Sequence, residues 1–166
     1  MNKNYHFISL SLFAVIIICF FLPFISITCG DTKIATLKGT DLAFGTRVNY
    51  RDIDSSTASR NVDPEALALL PFILSIAGLV VSIVYLVSNP AKYKSSFIIL
   101  CILSSIIFIS LLALQFKLKS DIRTESGEVG FSLKLNYEFG YWIALILSLL
   151  TALLNLYLVS TRKFEQ

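Results

Sequence analysis

Apolar residues run almost unbroken through four stretches of the chain, approximately 6–25, 64–88, 96–116 and 140–160. Outside them the pattern changes to short alternations of apolar and polar positions. A bilayer core about 30 Å thick is crossed by roughly 20 apolar residues in a helix, so each stretch predicts one crossing. The first, FISLSLFAVIIICFFLPF, also resembles a secretory leader, with Lys3 ahead of it and Cys29 behind it. Its apolar run is longer than a leader needs and Ser26-Ile27-Thr28 is a poor lipoprotein cleavage site, so the reading is a retained helix. The second opens on Asp63-Pro64-Glu65, an N-terminal signal in which Asp63 is predicted to cap free amides and both acids suit the positive dipole end. Pro71 should kink that helix and Asn89-Pro90 should end it.

The alternating segments predict strands. SITCGDTKIATL, residues 26–37, reads as a hairpin turning at Gly30-Asp31. Its register would set Cys29 opposite Thr32, Ile27 opposite Ile34 and Ile25 opposite Thr36. One face then collects Ile25, Ile27, Cys29 and Ile34, and the other Ser26, Thr28 and Lys33. From 129 to 139, VGFSLKLNYEF alternates throughout, with Val129, Phe131, Leu133, Leu135, Tyr137 and Phe139 on one face. Upstream, Phe116, Leu118, Ile122 and Thr124 alternate with charged residues, and Ser126-Gly127 offers a turn. A second hairpin would set Ile122 against Phe131, Leu118 against Leu135 and Phe116 against Tyr137, although it also opposes Lys119 to Lys134 and Glu125 to Glu128.

Isolated hairpins are marginal in water, so the two are expected to join in one antiparallel sheet of roughly four or five strands whose apolar face rests on the helix ends. Thr40 to Gly45 reads as a short capped helical turn tucking Leu42 and Phe44 under that sheet; 46–62 reads as a mobile polar loop. The rings of Tyr141 and Trp142 are expected at the bilayer interface. The predicted fold class is therefore a mainly α membrane protein: a four-transmembrane-helix bundle with a small extracytoplasmic antiparallel β-sheet formed by loops 1 and 3. It is one domain, 1–166, with the β-cap drawn from 25–62 and 117–139.

Composition agrees with a membrane setting. The 166 residues are 55% hydrophobic and 15% charged, and the mean hydropathy is +0.75. A net charge of +3 without a block of like charges is too mild and too dispersed to indicate a nucleic-acid partner, and none is expected. The short segments 1–5, 89–95 and 161–166 carry Lys3, Lys92, Lys94, Arg162 and Lys163 against Glu165, which places both termini in the cytoplasm, with the bacterial inner (plasma) membrane as the expected location. Lys117 and Lys119 pull mildly the other way.

Four spans, strands in the first outer loop and a strand leading into the fourth span together resemble the claudin-like tetraspan plan. The resemblance implies that arrangement and no more, because the family's first-loop Trp, Gly-Leu-Trp and paired cysteines are absent; Cys29 stands alone in that loop. LPFISITCG, GTDLAFG and YEFGYW are also similar to segments of uncharacterised small bacterial four-span membrane proteins, a likeness that brings no activity with it.

The chemistry is sparse. Cys19, Cys29 and Cys101 lack CxxC or Cys/His spacing, and His6 is the single histidine, so neither a metal site nor a cofactor is expected. Cys29 reads as a small buried apolar group sooner than as a reactive thiol. Asp52-Ile53-Asp54-Ser55-Ser56 lacks the Gly and distal Glu of a calcium loop and reads as solvated; Arg47, Arg51 and Arg60 are interleaved with acids. Between their ends the four apolar stretches hold no Asp, Glu, Lys, Arg or His, with His6 and Glu65 at their edges, which disfavours pumps, coupled transporters and intramembrane proteases. They do hold small polar stripes: Ser75, Gly78 and Ser82 on span two, Ser148, Thr151 and Asn155 on span four. These predict close helix packing or contact with a partner in the membrane. The expectation is a non-enzymatic membrane protein, in contact with lipid, whose β-cap serves protein–protein interaction with another membrane protein or with itself. The alternative is a carrier or accessory subunit for a lipidic or apolar ligand.

Overall fold

The computed structural model describes residues 4–29, 32–51, 57–87, 93–129 and 133–161. In chain order the elements are helix α1 (Asn4–Cys19), strands β1 (Pro23–Cys29) and β2 (Thr32–Lys38), helix α2 (Gly39–Phe44), strands β3 (Thr46–Arg51) and β4 (Thr57–Val62), helices α3 (Ala66–Val87) and α4 (Tyr93–Val129), strand β5 (Leu133–Tyr137) and helix α5 (Phe139–Thr161).

Among the described residues three segments are long and apolar enough to cross a membrane: Ala66–Val87, Phe97–Ser120 and Phe139–Ser160. The apolar part of α1, Phe7–Cys19, is shorter. Each helix is apolar almost all round, and burial distinguishes an inner face from an outer one. Inside lie Phe13, Ile16, Leu100, Ile107, Leu111, Leu114 and Ala144, none more than 1% exposed. Outside lie stripes such as Val80, Val84, Ile102, Ile109, Ile146 and Leu153, an arrangement suited to lipid. Helix α1 touches α3 and α5, and α4 touches the same two, so the four close into a ring.

The kink-forming Pro71 lies inside α3. A proline there leaves the carbonyl four residues earlier without its helical donor. That carbonyl belongs to Leu67, and the Ser110 hydroxyl of α4 donates to it at 3.0 Å. The defect in one helix thus becomes a bond to its neighbour, as an interior without water requires. The expected Asp63 cap gives way to another start. The Glu65 carbonyl accepts from Ala68 and Leu69, while the Glu65 amide donates to the Leu42 carbonyl of α2.

At one end of this ring sits a three-stranded antiparallel sheet in the order β2-β1-β5, and β3 pairs separately with β4. The polar stretch 46–62, expected as a loop, is therefore largely a hairpin, with 52–56 outside the described residues. The single sheet of four or five strands is replaced by these two smaller ones.

Two register expectations are corrected. Cys29 does pair with Thr32, but Ile27 meets Ala35 and Ile25 meets Leu37, because the ladder shifts between Ile27 and Thr28. The extra residue on β2 moves everything after it by one place, so Leu37 takes the position expected of Thr36 and is 4% exposed. Ile34 has no partner in the ladder. A bulge of this kind lets a strand keep its apolar residues on the covered side.

The larger correction concerns 116–124, which is helix and not strand: α4 continues through Val129. Neither Gly nor Pro interrupts the sequence from Tyr93 to Ser126, and Gln, Lys, Leu, Arg and Glu favour helix. Leu111, Leu114, Leu118 and Ile122 also fall at helical spacing, a period concealed by the alternation of Phe116 and Leu118 with lysines. Propagation from a formed helix is cheap, whereas the strand reading needed a new turn and opposed like charges. The pairings proposed for Phe116, Leu118 and Ile122 fall with it. Phe131 lies outside the described residues, and Val129 and Phe139, expected in the strand, belong to helices.

Candidate functional site: the cap and its footing

Strand β1 follows α1 after one tight turn, in which Phe20, Phe21 and Leu22 donate their amides back to Ile17, Ile18 and Cys19. It then runs between β2 and β5. Across to β5, Ile25 faces Tyr137, Ile27 faces Leu135 and Cys29 faces Leu133, so residues expected in two separate hairpins share one row on one sheet. Ile25 is buried, and Leu135, Tyr137 and Leu118 pack against the same core. What covers the sheet's apolar face is therefore the extension of α4, in place of a second hairpin.

Aromatic rings join cap to bundle. Phe24 packs on Phe20 with the rings tilted at 43° and 4.9 Å apart, and it meets Tyr141 edge-on at 6.0 Å. Tyr141 is fully buried, contrary to its expected place at the interface, and its hydroxyl donates to the Leu111 carbonyl at 3.0 Å and to Gln115 Oε1 at 3.3 Å. Trp142 beside it is 44% exposed. The Tyr137 hydroxyl donates to the Gln115 carbonyl at 2.9 Å, and burial raises its pKa above the usual tyrosine range.

The opposite, polar face of the sheet has its own ties. Thr28 Oγ1 donates to the Lys134 carbonyl at 3.1 Å, and Lys33 Nζ meets Glu138 Oε1 at 2.7 Å. Hydrogen bonds from Lys33 and Ser26 hold the Glu138 carboxyl below the usual glutamate range. Lys117 Nζ spans both oxygens of Glu65 at 2.7 and 2.9 Å, linking α4 to the start of α3. In α2 the Lys38 amide donates to Asp41 Oδ2 at 3.0 Å; Leu42 and Ala43 are buried, while Phe44 is 58% exposed instead of tucked under the sheet.

The stripe residues turn inward. Ser75, Gly78, Ser82, Ser148, Thr151 and Asn155 are all buried within the chain. Ser75 and Ser82 donate to the carbonyls of Pro71 and Gly78, and Ser148 and Thr151 to those of Leu145 and Leu147. Asn155 ties α5 to α1, accepting from Ser9 Oγ at 3.2 Å and donating to the Thr151 carbonyl. A Cβ on Gly78 would lie 2.5 Å from the Phe13 ring, and one on Gly140 would lie 2.6 Å from the Pro23 carbonyl oxygen. These two glycines set how closely α3 approaches α1 and how closely α5 approaches the start of β1.

Sequence reasoning did not foresee the parts played by Ser110, Gln115 and Gly140. Ser110 was open to inference, since Pro71 requires a donor from elsewhere; nothing in the sequence identifies which serine supplies it. Among the described residues no group of three metal-ligating side chains forms. No family model matches the chain, and no curated protein matches it.

Proposed function

We propose that the protein is a non-enzymatic, four-crossing membrane protein whose cap is a rigid surface for assembly with another membrane protein or with a second copy of itself. The fourth crossing is α1. Its 16 residues span about 24 Å, and the turn into Pro23 adds further apolar length. Phe7 at 53%, Ile18 at 59% and Phe21 at 57% exposure give it an outward apolar surface that water would not tolerate. With α1 across, both termini lie on the cytoplasmic side of a bacterial inner membrane and the cap lies outside, the plan of the claudin-like tetraspans.

One observation carries the assembly reading: a polar sheet face is held in fixed register by bonds across distant segments, above spans whose buried hydroxyls are satisfied within the bundle. Lys33, Lys134 and Asn136 present their side chains on the exposed surface of that sheet, and edge strands carrying lysine resist indiscriminate pairing. The close approach of Phe13 to Gly78 favours a filled bundle over a ligand-carrying one. Purification in mild detergent followed by crosslinking and mass spectrometry tests this. A stoichiometric protein partner or a homo-oligomer joined through 32–36 and 133–138 is expected. A lipid retained at fixed ratio with no protein neighbour would favour the carrier reading instead.

A further inference from the structure

Helix α2 is part of a loop by sequence, yet its only large exposed side chain is Phe44. The Phe44 ring meets Phe72 of α3 edge-on at 5.5 Å, and Phe72 also touches Phe20 and the exposed Phe21. Phe72 lies on the second turn of α3, whose outward positions Leu70, Ile73 and Ile76 are exposed and apolar. The surface of Phe44 is therefore continuous with the lipid-facing stripe of a membrane-length helix. On the other side of the bundle, Phe116 is 73%, Phe139 53% and Trp142 44% exposed. All lie at the cap end: Phe116 precedes the Lys117 that pairs with Glu65, while Phe139 and Trp142 stand in the first turns of α5. Exposed rings from every side at one end of a bundle fit the boundary between acyl chains and headgroups.

We infer that α2 is a membrane foot: Phe44 sits in the lipid interface on the same belt as Phe21, Phe116, Phe139 and Trp142, so the cap rests on the bilayer instead of standing clear of it. The occupant of this surface is lipid. The buried Leu42 and Ala43 anchor the foot to α3, and the Glu65 amide donating to the Leu42 carbonyl fixes its height on that helix. This inference rests on the membrane reading of the preceding section.

Trp142 is the single tryptophan, so its fluorescence reports one position. The full chain is reconstituted in phosphatidylcholine vesicles containing lipids brominated near the headgroup or near the acyl-chain end, alongside a W142F/F44W chain that moves the reporter to the foot. Both chains are expected to float with the vesicles and to lose more emission to the shallow bromines than to the deep ones, with little loss to aqueous iodide. Stronger quenching of the residue-44 reporter by iodide, or by the deep bromines, overturns the foot. Failure of the unaltered chain to float would instead overturn the membrane reading itself. A measurement on the unaltered chain guards against misfolding of the variant: lipids with a headgroup-proximal diazirine should leave adducts within 39–44, and adducts confined to other peptides contradict the proposal.

Discussion

The bundle and the cap satisfy their polar groups in opposite ways. Within the bundle most hydroxyls turn back on their own helix: Ser75 to Pro71, Ser82 to Gly78, Ser104 to Leu100, Ser105 to Cys101. In the cap the bonds join remote parts of the chain, Thr28 to Lys134, Lys33 to Glu138 and Glu65 to Lys117. Lipid offers no competing hydrogen bonds, so a helix settles its needs locally and packing decides its neighbours. Water competes for the exposed polar face of the cap, so its shape depends on strand register and on fitting against the bundle. Exceptions in the bundle, among them Ser9–Asn155, Ser110–Leu67 and Tyr141–Leu111, therefore mark where neighbouring helices are fixed by direction as well as by packing.

The largest expected effect lies where the two regions meet. Gly140→Ala drives a methyl group against the Pro23 carbonyl and Leu22 Cβ, and backbone cannot swing aside. It should cost about 3 kcal/mol, the upper end for overpacking, read as a lower midpoint of thermal unfolding in detergent. Gly78→Ala meets the Phe13 ring, which can rotate partly away, so its cost should be smaller, about 1–2 kcal/mol.

Ser110→Ala sharpens the contrast between local and remote bonding. It leaves the Leu67 carbonyl without a donor and should cost about 1–2 kcal/mol. In a Pro71→Ala background the helix supplies its own amide, and the same substitution should then cost less; equal costs in the two backgrounds would remove the link between the proline and the serine.

Leu118→Glu should separate the two regions. Hydrogen exchange is expected to rise in 25–29 and 133–137 while the spans keep their protection, because Leu118 belongs to the part of α4 that covers the sheet.

The smallest effect is electrostatic. The Glu138 pKa is lowered on folding, so its contribution is complete above the ordinary glutamate value of about 4.3 and is lost as pH falls through the folded value. Acid should therefore loosen the tie between β2 and the end of β5, and Glu138→Gln should remove that pH dependence, as followed by exchange in 32–38. For Tyr137 the sign is reversed. Its raised pKa stabilises the fold below the ordinary tyrosine range, an advantage lost as pH rises through the folded value.

The same contrast explains what could be read from sequence. Membrane-length apolar runs announce helices by length alone, and α3 and α5 lie close to their expected bounds. The stripe Ser75-Gly78-Ser82 pointed to a packing face because helical spacing is a local property. The cap was legible only in part. Alternation revealed β1, β2 and β5, but a bulge at Ile34 is invisible to a strict period of two, and it displaced the pairing of everything from Ala35 onward. At 116–124 two periods coexist, and the choice depended on the helix already formed upstream. Tyr141 shows a third limit: the sequence Gly140-Tyr141-Trp142 treats both rings alike, but the packing of Phe24 and Gln115 turns Tyr141 inward while Trp142 faces out.

The central claim is that α1 crosses the membrane with the other three helices and leaves the cap on the far side from both termini. Single-cysteine chains, with Cys19, Cys29 and Cys101 replaced, test it most directly through labelling of intact cells by a membrane-impermeant maleimide. Lys33→Cys in the cap should label in intact cells, and Lys3→Cys and Lys163→Cys should label only after permeabilisation. Labelling of Lys3→Cys in intact cells alongside Lys33→Cys would leave three crossings and contradict the account.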